Sequence, residues 1–193
     1  VLYEIVFHGR GGQGAVTAAN ILVQAAIYEN LHGQGFPFFG AERRGAPVTA
    51  YARLSDKPIL RHSAIREADV VVVLDDSLLE LGEVKKTRIK KGGAIVVNTN
   101  MSSIKRDWLN AEGAVHAYVV DATKIAVKHG LVLAGWPLVN TPILGALSRA
   151  IRIISMQSIE KALIDYFGEK VGKKNAEAAL EAYKETTYLG EVI

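Results

Sequence analysis

Residues 7–20 read FHGRGGQGAVTAAN, with Gly9, Gly11, Gly12 and Gly14 set between an apolar run and a segment of helical character. Gly9, Gly11 and Gly14 satisfy G-x-G-x-x-G in the context of a strand followed by a helix, where glycines permit a tight turn and let an anion reach backbone N–H groups at the positive helix end. The loop, with Arg10 and Gln13 as its polar side chains, can hold an anion or serve as a close-packed strand-to-helix turn. A dinucleotide site asks for one residue more, an Asp or Glu at the end of the second strand to hold the ribose hydroxyls. That position reads Gly35, Phe36, Pro37, Phe38, and no acid follows until Glu42. A P-loop is excluded as well, because Gln13-Gly14-Ala15-Val16 supplies neither the lysine nor the metal-binding hydroxyl.

Other stretches carry chemistry of the same kind. PFFGAERRGAP, residues 37–47, places Arg43 and Arg44 between glycines, where two guanidiniums can fork onto carboxylate or phosphate oxygens or stand as an ordinary charged loop tip. In NTPILGAL, residues 140–147, Thr141 is placed to cap a helix whose first position is Pro142. Gly145 inside that helix costs about 1 kcal/mol relative to alanine, which implies a close approach by backbone or ligand. Asp75-Asp76 at a strand end reads as a cap for the next helix or as an acid pair. His8, His32, His62, His116 and His129 are scattered without HExxH or metal-ligand spacing, and there is no G-x-S-x-G elbow. The chain has no cysteine, which excludes disulfides, zinc–thiolate sites and cysteine-ligated iron–sulfur clusters. An anion-competent loop without a catalytic group of its own is the result.

The elements that must position these residues follow from the apolar pattern. With 193 residues, 49% hydrophobic and 22% charged, the chain has the size of one domain, residues 1–193. Strands are expected at 3–8, 34–38, 70–75, 94–98 and 116–120, the β-branched ones reading as parallel strands covered on both faces. Helices are expected at 15–30, stopped by Gly33, and at 77–86, 123–129, 142–151, 158–167 and 173–187. Partial alternation in VTAYARLSDKPILR, residues 48–61, suggests a hairpin around Ser55-Asp56. The fold class is α/β, a doubly wound, mostly parallel sheet with a hairpin insertion and a helical C-terminal third. The net charge of +3 is mild, and the KKTRIKK cluster, Lys85 to Lys91, lacks aromatic residues for base stacking. It reads as a solvated helix end, and no nucleic-acid partner is expected. No window approaches the ~18 consecutive apolar residues of a membrane span, and the chain opens directly on strand-like YEIVF, so a cytoplasmic location without membrane contact is the expectation.

Taken in order, HGRGGQG at 8–14, FPFFGAERRGAP at 36–47, VVVVLD at 70–75 and NTPILGAL at 140–147 resemble the gamma subunit of pyruvate:ferredoxin oxidoreductase and its 2-oxoacid relatives. The resemblance implies an accessory subunit of a complex that oxidatively decarboxylates a 2-oxoacid, passes electrons to ferredoxin and forms an acyl-coenzyme A. Such a complex uses thiamine diphosphate, magnesium, iron–sulfur clusters and coenzyme A, none held by this chain alone, and its partners are alpha, beta and delta-type subunits, with ferredoxin met through the complex. The absence of cysteine and of a Gly-Asp-Gly segment agrees with that division of labour. The resemblance also implies a polar contact region made of Gly9, Arg10, Gly11, Gly12, Gln13, Gly14, Arg43 and Arg44, facing coenzyme A or a neighbouring chain, with no catalytic and no metal-binding residue. The GAERRGAP form resembles chains serving pyruvate or branched-chain 2-oxoacids. Phe36, Phe38 and Phe39 beside the arginine pair are expected on an interface. The competing reading is a free-standing Rossmann-type nucleotide-binding oxidoreductase.

Overall fold

In a computed structural model of the chain, the described residues are 1–38 and 43–193. The first strand, β1 (Leu2–Arg10), runs into helix α1 (Ala15–Tyr28), which returns the chain to β2 (His32–Pro37), β3 (Pro47–Ser55) and β4 (Glu67–Val73). A short helix α2 (Ser77–Glu80) and a 3-10 turn lead to β5 (Arg88–Asn98), after which β6 (Asn110–Ala111) and β7 (Val115–Val120) follow. The remainder comprises α3 (Ala122–Lys128), the small hairpin β8 (Val132–Leu133) and β9 (Trp136–Pro137), the helices α4 (Pro142–Ile151), α5 (Met156–Phe167) and α6 (Glu169–Glu185), and β10 (Thr187–Val192).

The principal sheet has the order β10-β7-β5-β4-β1-β3-β2, with β6 paired to β5. Its middle four strands β7, β5, β4 and β1 are parallel, while β10 and the β3-β2 pair add antiparallel edges. Alternation along the central strands sends Ile5, Phe7, Val70, Val72 and Val96 to one face, under α1 and α3 to α6. Val6, Val71, Val73, Ile95 and Val97 go to the other, against Leu78, Leu79, Val84, Ile104 and Leu109. Helices on one face and short turns on the other account for the uninterrupted apolar strands.

Several boundaries depart from the pattern-based expectation. Helix α1 ends at Tyr28, because Asn30 takes the left-handed conformation (φ 60°) and its N–H and that of Leu31 bond to Ile27 and Ala26 carbonyls. That is a Schellman stop made by asparagine in place of Gly33, and Gly33 lies in β2. The antiparallel insertion exists, but its arms are β2 and β3, with Pro37 opposite Ala50. Ser55-Asp56 ends a strand instead of turning a hairpin. The expected helix 77–86 is one turn of α-helix and one of 3-10. The Lys85–Lys91 cluster is correspondingly divided: Lys85 and Lys86 lie on the turn and the rest runs into β5, where Arg88 pairs with Glu67 and Lys90 with Glu4 and Asp69. The last helix ends at Glu185, and residues 187–192 pair with β7 as a strand. Gly145 meets its predicted close approach: a Cβ there would lie 1.8 Å from the Ala179 carbonyl oxygen, so α4 and α6 touch backbone to backbone.

At the amino-terminal end of the sheet, Arg53 is buried and donates from Nε to Glu4 (3.1 Å) and from Nη1 to Gln34 (2.9 Å). Lys90 donates to the other Glu4 oxygen at 3.1 Å. Burial raises the Glu4 pKa, but the hydrogen bonds from Arg53 and Lys90 and the charges of both outweigh it, leaving the group below its ordinary value. Removing the Glu4 carboxylate takes from the buried Arg53 its carboxylate partner, while Lys90 keeps Asp69. Glu4→Gln is therefore expected to destabilise the chain by about 3 kcal/mol in denaturant titrations at pH 7. Since the folded Glu4 pKa is depressed, its stabilisation is present above the unfolded value of 4.5 and is lost as pH falls below it, so the gap between the two proteins should narrow in acid.

Candidate functional site

The carboxyl ends of the four parallel strands open into a cleft of about 1110 Å³. It lies where the topology reverses: the chain leaves β1 for the β3-β2 edge by way of α1, and leaves β4 for β5 on the opposite face. Such a switch point leaves a crevice between diverging connections. Gly11, Gly12 and Gln13 line it from β1, Asp75 and Asp76 from β4, Asn98 and Thr99 from β5, and Asp121 and Lys124 from β7 and α3.

The glycine loop is built by two turns that grip each other. Gln13 N–H donates to the Arg10 carbonyl (3.0 Å) with Gly12 at φ 92°, and Ala46 N–H donates to the Arg43 carbonyl (3.0 Å) with Gly45 at φ 84°. Positive φ at the third position of each turn is the type II requirement. Gly11 N–H donates to Ala46 O (2.8 Å) and its carbonyl accepts from Gly45 N–H (3.0 Å). This contact leaves no room for a side chain, because a Cβ on Gly11 would stand 2.1 Å from the Arg43 carbonyl oxygen. Gly14 caps α1 at φ 80° and without a side chain, leaving the first-turn N–H groups unsatisfied by any cap. Asn140 lies over it, its Nδ2 donating to the Gly14 carbonyl at 3.4 Å.

Arg10 is a brace. Its Nε donates to Asp75 (3.0 Å), Nη1 to the Gly45 carbonyl (2.9 Å) and Nη2 to Ser77 Oγ (2.8 Å), while its backbone N–H is held by Gln13 Oε1 (2.7 Å). Asp75 also accepts from Ser77 N–H and Oγ, so the capping function expected of the Asp75-Asp76 pair rests with Asp75, and Asp76 instead accepts from Thr99 (2.7 Å). Asn98, buried at the floor, donates to the Leu74 carbonyl and Thr123 Oγ1 and accepts from the Ala122 and Thr123 N–H groups. These bonds tie the ends of β4 and β5 to the start of α3. Thr141 does not cap α4 with its side chain; its hydroxyl bonds Asn175 at 2.6 Å.

Gly9, Arg10, Gly11, Gly12, Gln13, Gly14, Arg43 and Arg44 are thus neighbours, and all but Gly9, Gly14 and Arg43 line the cleft. Arg44 reaches over the mouth, its guanidinium 5.6 Å from the Trp136 ring. His8 lies apart, on the other side of β1, bonded to Thr87 Oγ1 (2.9 Å), with burial holding its pKa down to about 4. Phe36 packs against Tyr51 with centroids 5.0 Å apart, and Phe38, 58% exposed, meets the same ring edge-on; Phe39 and Glu42 lie outside the described residues. Sequence reasoning passed over Asn98, Asn140 and Trp136. Two of them had a visible signal: Asn140 opens the NTPILGAL stretch, and Trp136 follows an Ala-Gly pair flanked by apolar residues.

The cleft's carboxylates are engaged with Arg10, hydroxyls and helix N–H groups, and among the described residues no cluster of three or more His, Cys, Asp or Glu can hold a metal. With no cysteine in the chain, its residues do not fit an iron–sulfur cluster. Among the described residues no helix is long and apolar enough to cross a membrane.

Fold and site together define an α/β domain with a glycine-loop crevice at the carboxyl ends of its parallel strands. Residues 4–185 match the family model of pyruvate ferredoxin/flavodoxin oxidoreductases, and the chain belongs to that family as a gamma-type subunit of the enzyme complex. It is 50% identical over 186 residues to the pyruvate/ketoisovalerate oxidoreductases common subunit gamma of Thermococcus litoralis, covering 96% of this chain and 97% of that one. The pyruvate synthase subunit PorC of Methanocaldococcus jannaschii is 48% identical over 184 residues, 95% and 97% of the two chains. Among solved structures, the pyruvate oxidoreductase subunit PORC of Thermotoga maritima superposes with a TM-score of 0.79 at 34% identity, over 97% of this chain and 98% of that one. The 2-oxoglutarate:ferredoxin oxidoreductase of Magnetococcus marinus, solved with 2-oxoglutarate, coenzyme A and succinyl-CoA, gives 0.74 at 25% identity, over 95% of this chain and 30% of that one. The Rossmann alternative is not favoured, and topology supplies the reason. The strand after α1, β2, is separated from β1 by the antiparallel β3, so its end does not lie directly beside the glycine loop.

Gly11→Ala should be more damaging than Gly12→Ala, since the first drives a methyl group into backbone and the second meets only Arg44 Cγ at 3.6 Å, with strain from φ 92°. Chemical denaturation should show a loss of about 1 kcal/mol for Gly12→Ala and a larger one for Gly11→Ala. Equal losses would contradict the packing. For His8 the folded pKa lies below the unfolded value of 6.5, so its contribution is full above pH 6.5 and declines as pH falls toward 4. The decline should reach about 3 kcal/mol and be absent in His8→Gln.

Proposed function

We propose that the chain, acting as one domain, is the gamma subunit of a complex that oxidatively decarboxylates pyruvate or a branched-chain 2-oxoacid, with alpha, beta and delta-type subunits carrying thiamine diphosphate with magnesium and the iron–sulfur clusters, and ferredoxin taking the electrons. Its own contribution is the cleft, where the glycine loop, Arg44 and Lys124 present backbone donors and cations to the phosphates of coenzyme A. Carrying this reading is one observation: four stretches far apart in the chain meet around one crevice. The Gly11–Ala46 and Gly11–Gly45 bonds join 8–14 to 36–47, Arg10–Asp75 joins 70–75, and Asn140 over Gly14 joins 140–147. A helix N-terminus capped by a residue without a side chain is suited to an anion. The coenzyme A bound in the Magnetococcus marinus structure agrees with that choice of anion. The names of the relatives support pyruvate and branched-chain substrates, since one common gamma subunit serves oxidoreductases for both.

The chain alone should not turn over pyruvate with coenzyme A and a viologen dye, and the complex assembled from all its subunits should. In that complex Gly12→Ala is expected to raise the KM for coenzyme A about tenfold with the KM for pyruvate unchanged, a difference of about 1.4 kcal/mol in binding. A lowered kcat with unchanged KM would assign the loop to assembly instead.

A further inference from the structure

A second cavity, of about 430 Å³, lies apart from the cleft and shares no lining residue with it. It is large enough to enclose a small organic molecule. At its floor is His8, only 3% exposed, whose Nε2 is bonded to Thr87 Oγ1 at 2.9 Å. Among the described residues Nδ1 of the same ring has no hydrogen-bond partner, whereas every fully buried side-chain nitrogen or oxygen has one. Nδ1 therefore faces the cavity. Burial keeps this imidazole uncharged at pH 7, so it offers a ligand one neutral hydrogen bond. Phe38 and Tyr51 make an aromatic wall, their rings edge-on with centroids 6.5 Å apart, and Phe38 leaves 58% of its surface uncovered. Such a wall suits a flat ring, which meets aromatic side chains edge-on or offset. The exposed end carries Arg66, Glu83 and Lys86. Glu83 and Lys86 neutralise each other at 2.8 Å, while Arg66 meets no carboxylate among the described residues. One positive charge is left at the mouth.

Polar floor, aromatic wall and cationic mouth together define the occupant. We propose that this cavity binds a small aromatic carboxylate that bears a hydroxyl group at the far end of its ring. The hydroxyl bonds His8 Nδ1, the ring lies against Phe38 and Tyr51, and the carboxylate turns out toward Arg66. The reverse orientation would place a charge in the most buried part of the cavity, beside an uncharged ring, and lose its solvation there. A wholly apolar ligand would cover the imidazole nitrogen without bonding it, at a cost in affinity. A phosphate ester, with its greater charge, would meet Glu83 and only one unpaired cation. The site is independent of the cleft and of what the cleft holds.

The probe is 4-hydroxyphenylacetate, titrated into the whole 193-residue chain carrying ¹⁵N-labelled histidine. Saturable binding by calorimetry is expected, together with a shift of the His8 ring nitrogens, assigned by their loss in His8→Gln. Phenylacetate, which lacks the hydroxyl, and 4-hydroxyphenylacetamide, which lacks the charge, should each bind about tenfold more weakly. Arg66→Gln should weaken the acid about tenfold and leave the amide unchanged, and Phe38→Ala should weaken both. Arg66 and Phe38 are exposed, so these two variants decide the matter even if His8→Gln does not fold. Trp136→Ala, at the rim of the separate cleft, should bind the probe as the wild type does. Failure to saturate at millimolar probe, or binding that survives both Arg66→Gln and Phe38→Ala, would overturn the proposal. So would binding to the isolated chain that disappears in the assembled complex, since a partner's side chain would then be the occupant.

Discussion

One guanidinium holds the crevice together. Arg10 binds a carboxylate at the end of β4, a carbonyl in the turn of residues 43–46 and a hydroxyl at the start of α2, while its own N–H is gripped by Gln13. A planar fork with donors in fixed directions suits such a junction, and a lysine could not reproduce it. Because about three quarters of both side chains in the Arg10–Asp75 pair is covered, solvent screens it less than a surface bridge. The loop that looks from sequence like a ligand cradle is first a joint between chain segments, with Arg10 committed to protein acceptors.

Close backbone approach is the second constraint, and it recurs through the molecule. Gly11 lies against the turn of Arg43, Gly14 under Asn140, and Gly145 of α4 against Ala179 of α6. The last contact draws α4 into the interior, where every residue from Pro142 to Ser148 is buried. Helix α4 begins one residue after Thr141, so the helical layer delivers Asn140 to the glycine loop. The packing of the helical third and the shape of the crevice are therefore coupled through Asn140, although 126 residues separate it from Gly14.

Topology decides what kind of crevice this is. The parallel strands β1, β4, β5 and β7 end together and give it walls of Asp, Asn and Thr side chains that satisfy one another. Placing β3 between β1 and β2 removes the strand end where a dinucleotide enzyme keeps its ribose-binding acid. What remains is a surface of backbone donors, Arg44 and Lys124, rimmed by an exposed indole.

Some of this was determined by the sequence on its own. Runs such as VVVVL at 70–74 and IVVN at 95–98 declare buried parallel strands, the small apolar residues of 15–26 declare a helix packed on them, and a chain without cysteine can ligate no thiolate cluster. These are local facts, written in neighbouring residues. The hairpin partners were not legible, because β2 carries the pattern HGQGFP, whose pairing depends on what β3 presents and not on its own alternation. Nor was β10, a short edge strand that pairs along the open side of β7 and packs Leu189 and Val192 on the core. The bracing of Asp75, Gly45 and Ser77 by Arg10, the floor of Asn98 and the meeting of Arg44 with Trp136 belonged to the tertiary structure alone. Each is a hydrogen bond or ring contact across tens of residues, and such contacts leave no period in the chain, since the partners are chosen by how strand ends converge after the core has packed.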